Sequence, residues 1–237
     1  MSAFPLLLLP GLLCDRELWA AQVEALSGRY DLRIADLTQD DSVGAMAARA
    51  IAGMPPRFAV AALSMGGYVA FELMRAVPER VAALCLFDTS ARPDTKEQAR
   101  RRRGLIALTR VGRFRGVNPR LLPELLHPDN LGNPKLRDIV TGMALRVGRD
   151  AFIRQQTAIL GRPDSRPVLT RIAVPTLVCT GEADRFIPPE HAAEIAAGIR
   201  GAQFAVIAGS GHLPPLERPA DVNRLLAEWM ENTVVSR

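Results

Sequence analysis

"RFAVAALSMGGYVAFELMRAVP", residues 57–78, decides the fold, because two periodicities meet inside it. Phe58 to Leu63 is an apolar run without a charge, the pattern of a buried strand. From Gly67 the spacing turns helical: Val69, Leu73 and Val77 lie four apart, with Glu72 and Arg75 between them. The switch falls on Ser64, inside Ala62-Leu63-Ser64-Met65-Gly66-Gly67. A serine thus stands where the chain must turn sharply from strand to helix.

Outward from this junction the same alternation repeats. Apolar runs recur at Phe4–Leu9, Tyr30–Ala35, Val81–Phe87, Thr176–Cys179 and Gln203–Ile207. Such runs suit a parallel sheet covered on both faces. Helical patterns separate them at Leu18–Leu26, at Val43–Ala52 behind the N-cap Ser42, and at Pro189–Ile199 and Pro219–Met230, each opened by proline. The expected class is α/β: a mostly parallel sheet of about six strands with helices on both faces. One segment breaks the rhythm. Between Asp88 and Ile172 only helical stretches appear, roughly Thr95–Arg113, Pro119–Leu126, Pro134–Val147 and Asp150–Leu160. They read as a helical lid, residues 91–163, inserted after the fourth strand of a core formed by 1–90 and 164–237.

Composition sets the outer bounds. The 237 residues are 48% hydrophobic and 23% charged, ordinary for one soluble domain with a proper core. A net charge of +5 favours acidic partners. Cys14, Cys85 and Cys179 make no disulfide framework, so a reducing, cytoplasmic setting is expected. "FPLLLLPGLLC" lacks a preceding Lys or Arg and is broken by Pro10-Gly11, which favours a buried strand over a signal peptide. No run reaches the ~18 apolar residues of a membrane span.

Three polar residues follow strands: Ser64 after the third, Asp184 after the fifth in "GEADRFIP", and His212 after the sixth in "AGSGHLPPLERP". Parallel strands bring such ends to one side of a sheet, where ligands collect. Together they offer a nucleophile, a base and a carboxylate to orient the base, the set that acyl transfer needs.

With these residues in view, the chain resembles an α/β-hydrolase along nearly its whole length. The serine stretch is similar to that superfamily's nucleophile elbow, and the order Ser…Asp…His matches. Ala62 replaces the first glycine of G-x-S-x-G, adding one methyl to the elbow. The resemblance implies an oxyanion hole built from the backbone N–H groups of Met65 and Leu12. Pro10-Gly11 stands where many relatives have His-Gly.

Competing readings narrow the site. Asp88, after the fourth strand, is a rival for the acid. Glu217 reads as a brace for the final loop. His127 and His191 fall at a helix end and a surface-helix start, and no pair of histidines has metal-ligand spacing, so neither a metal nor a cofactor is expected. Cys14 reads as a buried neutral thiol. Arg100–Arg103 point around most of a helix and form no single basic face, and aromatics are 5% of the chain, so no nucleic-acid partner is expected. One or two of these arginines could instead meet an acidic substrate or an acyl-carrier protein.

The resemblance also sorts substrates. Ser64 excludes the aspartate nucleophile of epoxide hydrolases and dehalogenases, and Leu213 stands where carbon–carbon bond hydrolases commonly carry Trp. A small-molecule ester, thioester or lactone remains. Leu12, Leu13, Met65, Phe186 and Leu213 flank the candidate triad, and the lid offers Leu122, Leu126, Met143, Phe152 and Ile153 as an apolar wall. The expected activity is that of a carboxylesterase for fairly apolar acyl groups. A lactonase or thioesterase for an acidic substrate is the rival, and a non-catalytic ligand receptor on the same fold is the alternative outside enzymology.

Overall fold

The computed structural model describes residues 3–235. Its strands are β1 (Phe4–Leu9), β2 (Tyr30–Ile34), β3 (Phe58–Leu63), β4 (Val81–Phe87), β5 (Thr176–Gly181) and β6 (Gln203–Ile207). They form one sheet in the order β2-β1-β3-β4-β5-β6, and every neighbouring pair is parallel. Side chains alternate across the sheet and so divide between two cores. Leu7, Leu9, Val60 and Ala62 pack on one face with α2 (Val43–Ala50), α3 (Met65–Ala76) and α8 (Pro189–Gly198). Leu6, Leu8, Ala59, Ala61 and Leu63 pack on the other with α1 (Ala20–Leu26) and α10 (Pro219–Met230).

Three strands depart from the expected pattern; the edge strand β2 stops at Ile34, one residue short of the expected Ala35. β5 runs two residues past the apolar stretch, to Gly181, because the ladder to β6 continues through Gly181↔Ile207. β6 is an edge strand with one neighbour, and Phe204 and Val206 remain about half exposed at 46% and 53%.

Between β4 and β5 the chain is helical: α4 (Lys96–Val111), α5 (Leu122–Leu125), α6 (Pro134–Leu160) and α7 (Arg166–Leu169). Thr95 and Gln98 close a capping box on α4. The two helices expected at 134–147 and 150–160 run together as α6, kinked at Gly148, whose φ of 79° only glycine adopts freely. Within the arginine run, Arg102 turns inward and pairs with Asp94, which Arg162 also holds. Burial alone would raise the Asp94 pKa; the two guanidinium groups outweigh it and keep the carboxyl below its usual range.

The register fixes the site's position. Leu9 pairs with Ala62, Leu63 with Phe87, and Phe87 with Cys179, so the carboxyl ends of the central strands lie level. The strand order reverses between β1 and β3, which makes the loops at this edge the expected ligand crevice. A short helix, α9 (Pro214–Glu217), follows the last of these loops. No helix of the described residues is long and apolar enough to cross a membrane.

Candidate active site

Ser64 is held at φ 54°, ψ −112°, a conformation that costs an L-residue about 1–3 kcal/mol. The neighbours hold it there. Its N–H donates to the Phe87 carbonyl at 3.0 Å, and its own carbonyl accepts from Thr89 Oγ1 at 2.7 Å. A Cβ on Gly66 would collide with the Leu9 carbonyl, and one on Gly67 with the Thr89 side chain. The small residues after the serine are therefore required by how closely α3 crosses β1 and the loop after β4. The extra methyl of Ala62 is absorbed in the fully buried core.

The three strand-end residues meet. His212 Nε2 lies 2.9 Å from Ser64 Oγ, and Nδ1 lies 2.8 Å from Asp184 Oδ2. The backbone N–H groups of Phe186 and Ile187 both donate to Asp184 Oδ1 at 2.9 Å. Three hydrogen bonds thus fix the orientation of this buried carboxylate. With Nδ1–H committed to Asp184, the Nε2 lone pair is free to accept the serine proton. Ser64, Asp184 and His212 are each 5% exposed or less, and the Phe186 ring lies beside the imidazole, tilted by 56° with centroids 4.9 Å apart.

Asp88 sits next to this chain and makes no hydrogen bond to the imidazole. It takes φ 46°, accepts from the Gly181 N–H at 2.8 Å, and is 1% exposed. Asp184, and not Asp88, meets the imidazole. Burial, reinforced by the Asp184 charge, pushes the Asp88 carboxyl well above the usual range.

The loop after β1 abuts the serine: a Cβ on Gly11 would come within 3.4 Å of Ser64 Cβ. Leu13 in this loop has φ 59°, and its N–H donates to Gln155 Oε1 at 3.1 Å. Gln155 is fully buried and also ties Leu37 O, so α6 braces the loop. No hydrogen bond among the described residues takes the Leu12 N–H. Met65 is the first residue of α3, where the N–H has no helical acceptor.

A cavity of about 830 Å³ opens onto Ser64 and His212. Leu12, Leu13, Met143, Phe152, Phe186 and Leu213 line it. Leu122, Leu126, Ile153 and the Met65 side chain do not. Leu122 and Leu126 turn into the core shared with α1 and α10, and Met65 into the opposite core. Ile153 follows Phe152 on α6 and is therefore rotated about 100° from it. His191, partly buried in the first turn of α8, also lines the cavity, with Nδ1 2.7 Å from Ser90 Oγ. Burial and nearby Arg92 hold its pKa below the ordinary histidine value. Sequence reasoning also missed Gln155, Thr89 and Tyr68, the last of which lines the cavity. A glutamine inside an amphipathic helix and a threonine after a strand carry no signal alone.

The His212 loop is pinned by Glu217. One carboxylate oxygen accepts from Gly211 N–H at 2.8 Å and Leu213 N–H at 3.3 Å; the other accepts from His127 N–H at 2.7 Å and Asn130 Nδ2 at 2.8 Å.

The chain belongs to the α/β-hydrolase family, whose model matches residues 6–225. Among its relatives, the pimeloyl-[acyl-carrier protein] methyl ester esterase of Xanthomonas oryzae pv. oryzae is 28% identical over 95% of this chain and 94% of its own. The protein of that name from Neisseria meningitidis serogroup C is 27% identical over 71% of this chain and 67% of its own. A thermophilic esterase from Thermogutta terrifontis, solved with malate bound, superimposes with a TM-score of 0.89 at 30% identity, covering 98% of this chain and 91% of that one. The enol-lactonase of Burkholderia xenovorans LB400 shares the fold, with a TM-score of 0.87 at 21% identity over 97% and 92% of the two chains. Fold and relatives together define an ester hydrolase of this family.

Proposed function

We propose that this chain cleaves carboxylic esters through an acyl-enzyme on Ser64. The observation that carries the reading is the continuous hydrogen-bond chain Ser64–His212–Asp184 at 2.9 and 2.8 Å. His212 takes the serine proton as Oγ attacks the ester carbonyl. Asp184 orients the imidazole and stabilises its charged form. The N–H groups of Leu12 and Met65 receive the developing oxyanion, a contribution of about 3 kcal/mol per donor. The alcohol leaves with the proton from His212, and water, deprotonated by the same imidazole, releases the acid. Residues 91–163 act as the lid of a core made from 1–90 and 164–237; Met143 and Phe152 bring its apolar wall to the cavity.

Turnover of p-nitrophenyl acetate and butyrate tests the reading. Ser64→Ala is expected to cut it by about 10³-fold or more with the fold intact. Absence of turnover in the wild type favours a ligand receptor, and wild-type rates in the variant remove Ser64 from the mechanism.

A second reading concerns the substrate's charge. Eight arginines line the cavity against two acids, Asp94 and Glu124. Arg102 and Arg162 are neutralised in part by Asp94, and Arg92 by Glu194. Arg101, Arg113, Arg115, Arg120 and Arg185 form no ion pair among the described residues. A cleft with this excess of one sign concentrates anions. It supports an ester, lactone or thioester that carries a second, acidic group, whether a small carboxylate or an acidic acyl carrier.

A further inference from the structure

Asp88 is a buried carboxyl that the proposed cycle does not use. Its Oδ1 accepts from Gly181 N–H at 2.8 Å and, more distantly, from Thr180 Oγ1 at 3.4 Å. Its Oδ2 is sealed from water and has no donor. A carboxylate oxygen in that position loses its hydration without replacement, which penalises the ionised form. The groups facing it are Asp184, the His212 ring and the Cys179 thiol. One oxygen of Asp88, one of Asp184 and a ring nitrogen of His212 all lie within 4.8 Å of one another. No guanidinium or ammonium is among them. Two carboxylates and one imidazole cannot share so small a dry volume with both acids ionised.

The two acids are not equivalent. Asp184 Oδ1 already receives two backbone N–H groups, and Oδ2 receives the imidazole N–H. Oδ2 therefore keeps one lone pair for a further donor. Asp88 has an oxygen without a donor and stands beside it. We propose that Asp88 keeps its proton and donates it to Asp184, acting as a positioning residue for the triad. The hydrogen bond fixes the Asp184 carboxylate against rotation and spreads its charge. Neutrality at Asp88 also matters: a second negative charge beside the imidazole would hold the proton on His212 and leave it unable to act as a base. The positive φ of Asp88 fits this role, since a residue is held in that region only when its surroundings specify it. Asp88 N–H donates to the Cys179 carbonyl at 3.0 Å, which anchors it to β5.

This inference rests on the Ser64–His212–Asp184 reading, and its test separates the two. Asp88→Asn supplies an N–H donor and carries no charge; Asp88→Ala supplies neither donor nor charge. For p-nitrophenyl butyrate, Asp88→Asn is expected to keep kcat within about threefold of the wild type, with the acid limb of the kcat/KM profile in place. Asp88→Ala is expected to lose about tenfold in kcat and to move that limb upward by about half a pH unit, because Asp184 then holds its full charge against the imidazole. In infrared difference spectra, the protonated-carboxyl C=O stretch of the wild type disappears in Asp88→Asn. A loss in Asp88→Asn comparable to that in Asp184→Asn overturns the proposal, because it demands an ionised group at position 88. A wild-type pH profile in a folded Asp88→Ala, or no protonated-carboxyl band, overturns it as well. If Ser64→Ala retains activity, the triad reading itself falls, whatever Asp88 does.

Discussion

The backbone N–H of His212 donates to the carbonyl of Leu125 at 2.8 Å. The catalytic candidate is thus held by the helical segment that lies between β4 and β5, and not only by its own loop. Glu217 strengthens the tie, because its two oxygens grip Gly211 and Leu213 on one side and His127 and Asn130 on the other. The loop that presents the imidazole and the segment that walls the cavity form one hydrogen-bonded unit.

Glu217→Ala removes the acceptor shared by these N–H groups and leaves them unsatisfied at about 1–3 kcal/mol each where buried. The expected result is a melting temperature lowered by about 2–4 °C for each kcal/mol lost, with kcat falling more than KM rises, since the imidazole loses its position and the pocket wall does not. Thermal unfolding and steady-state kinetics on one ester check both parts. An unchanged kcat in a destabilised variant would restrict Glu217 to folding.

The arginine-rich cavity makes a separate claim about selectivity. A monoester that keeps a free carboxylate is expected to react with kcat/KM about tenfold above its uncharged isostere at low salt, and the preference should shrink as ionic strength rises. Arg115→Gln combined with Arg185→Gln should erase most of the preference while leaving the neutral ester unaffected. Equal rates for both esters at low salt would return the cavity to a purely apolar selector.

Much of this architecture can be read from residue order. The runs at Phe4–Leu9, Val81–Phe87 and Thr176–Cys179, like Phe58–Leu63, mark the central strands because a sheet covered on both faces demands continuous hydrophobicity; the edge strands β2 and β6 carry Asp31, Arg33 and Gln203 and are partly exposed. Ser64 is legible because strand and helix periodicities change at a single residue, and Gly66-Gly67 mark a close crossing. Contacts across long sequence distances are not legible. Nothing in "AFIRQQTAIL" indicates that Gln155 reaches Leu13, 142 residues away, or that Leu122 and Leu126 turn from the cavity into the core. Helical periodicity defines a buried face without saying which neighbour it meets. For the same reason the sequence leaves His191 on a surface helix, although α8 turns its first turn toward Ser90.

Cys14 lies on the cavity wall, yet its thiol is expected to be inert. Burial, with a smaller push from Asp15, raises its pKa to about 12, and the hydrogen bond with Gly11 only partly offsets this. At about pH 8 the thiolate fraction is then negligible. A fluorophosphonate should label Ser64 in the native protein, while iodoacetamide should leave Cys14 unmodified in the same peptide map. Rapid alkylation of native Cys14 would mean a thiolate, and a second nucleophile in the cavity.

The raised pKa of Asp88 makes a prediction that needs no catalysis. Its causes are burial first and the Asp184 charge second. A carboxyl with a folded-state pKa above its unfolded value binds its proton more tightly in the folded chain. The unfolded chain releases that proton near the ordinary value of about 4, so stability falls as pH rises from there toward the folded-state value. The contribution is complete below about pH 4 and lost as pH passes through the raised pKa. Asparagine at position 88 does not titrate and removes this slope. The melting temperature of Asp88→Asn relative to the wild type should therefore climb as pH rises from about 4 toward the raised folded-state value, whatever fixed offset the substitution adds. A difference that narrows over the same range would mean that the fold stabilises an ionised Asp88, and the carboxyl would then be a charged partner in the site and not a proton donor to Asp184.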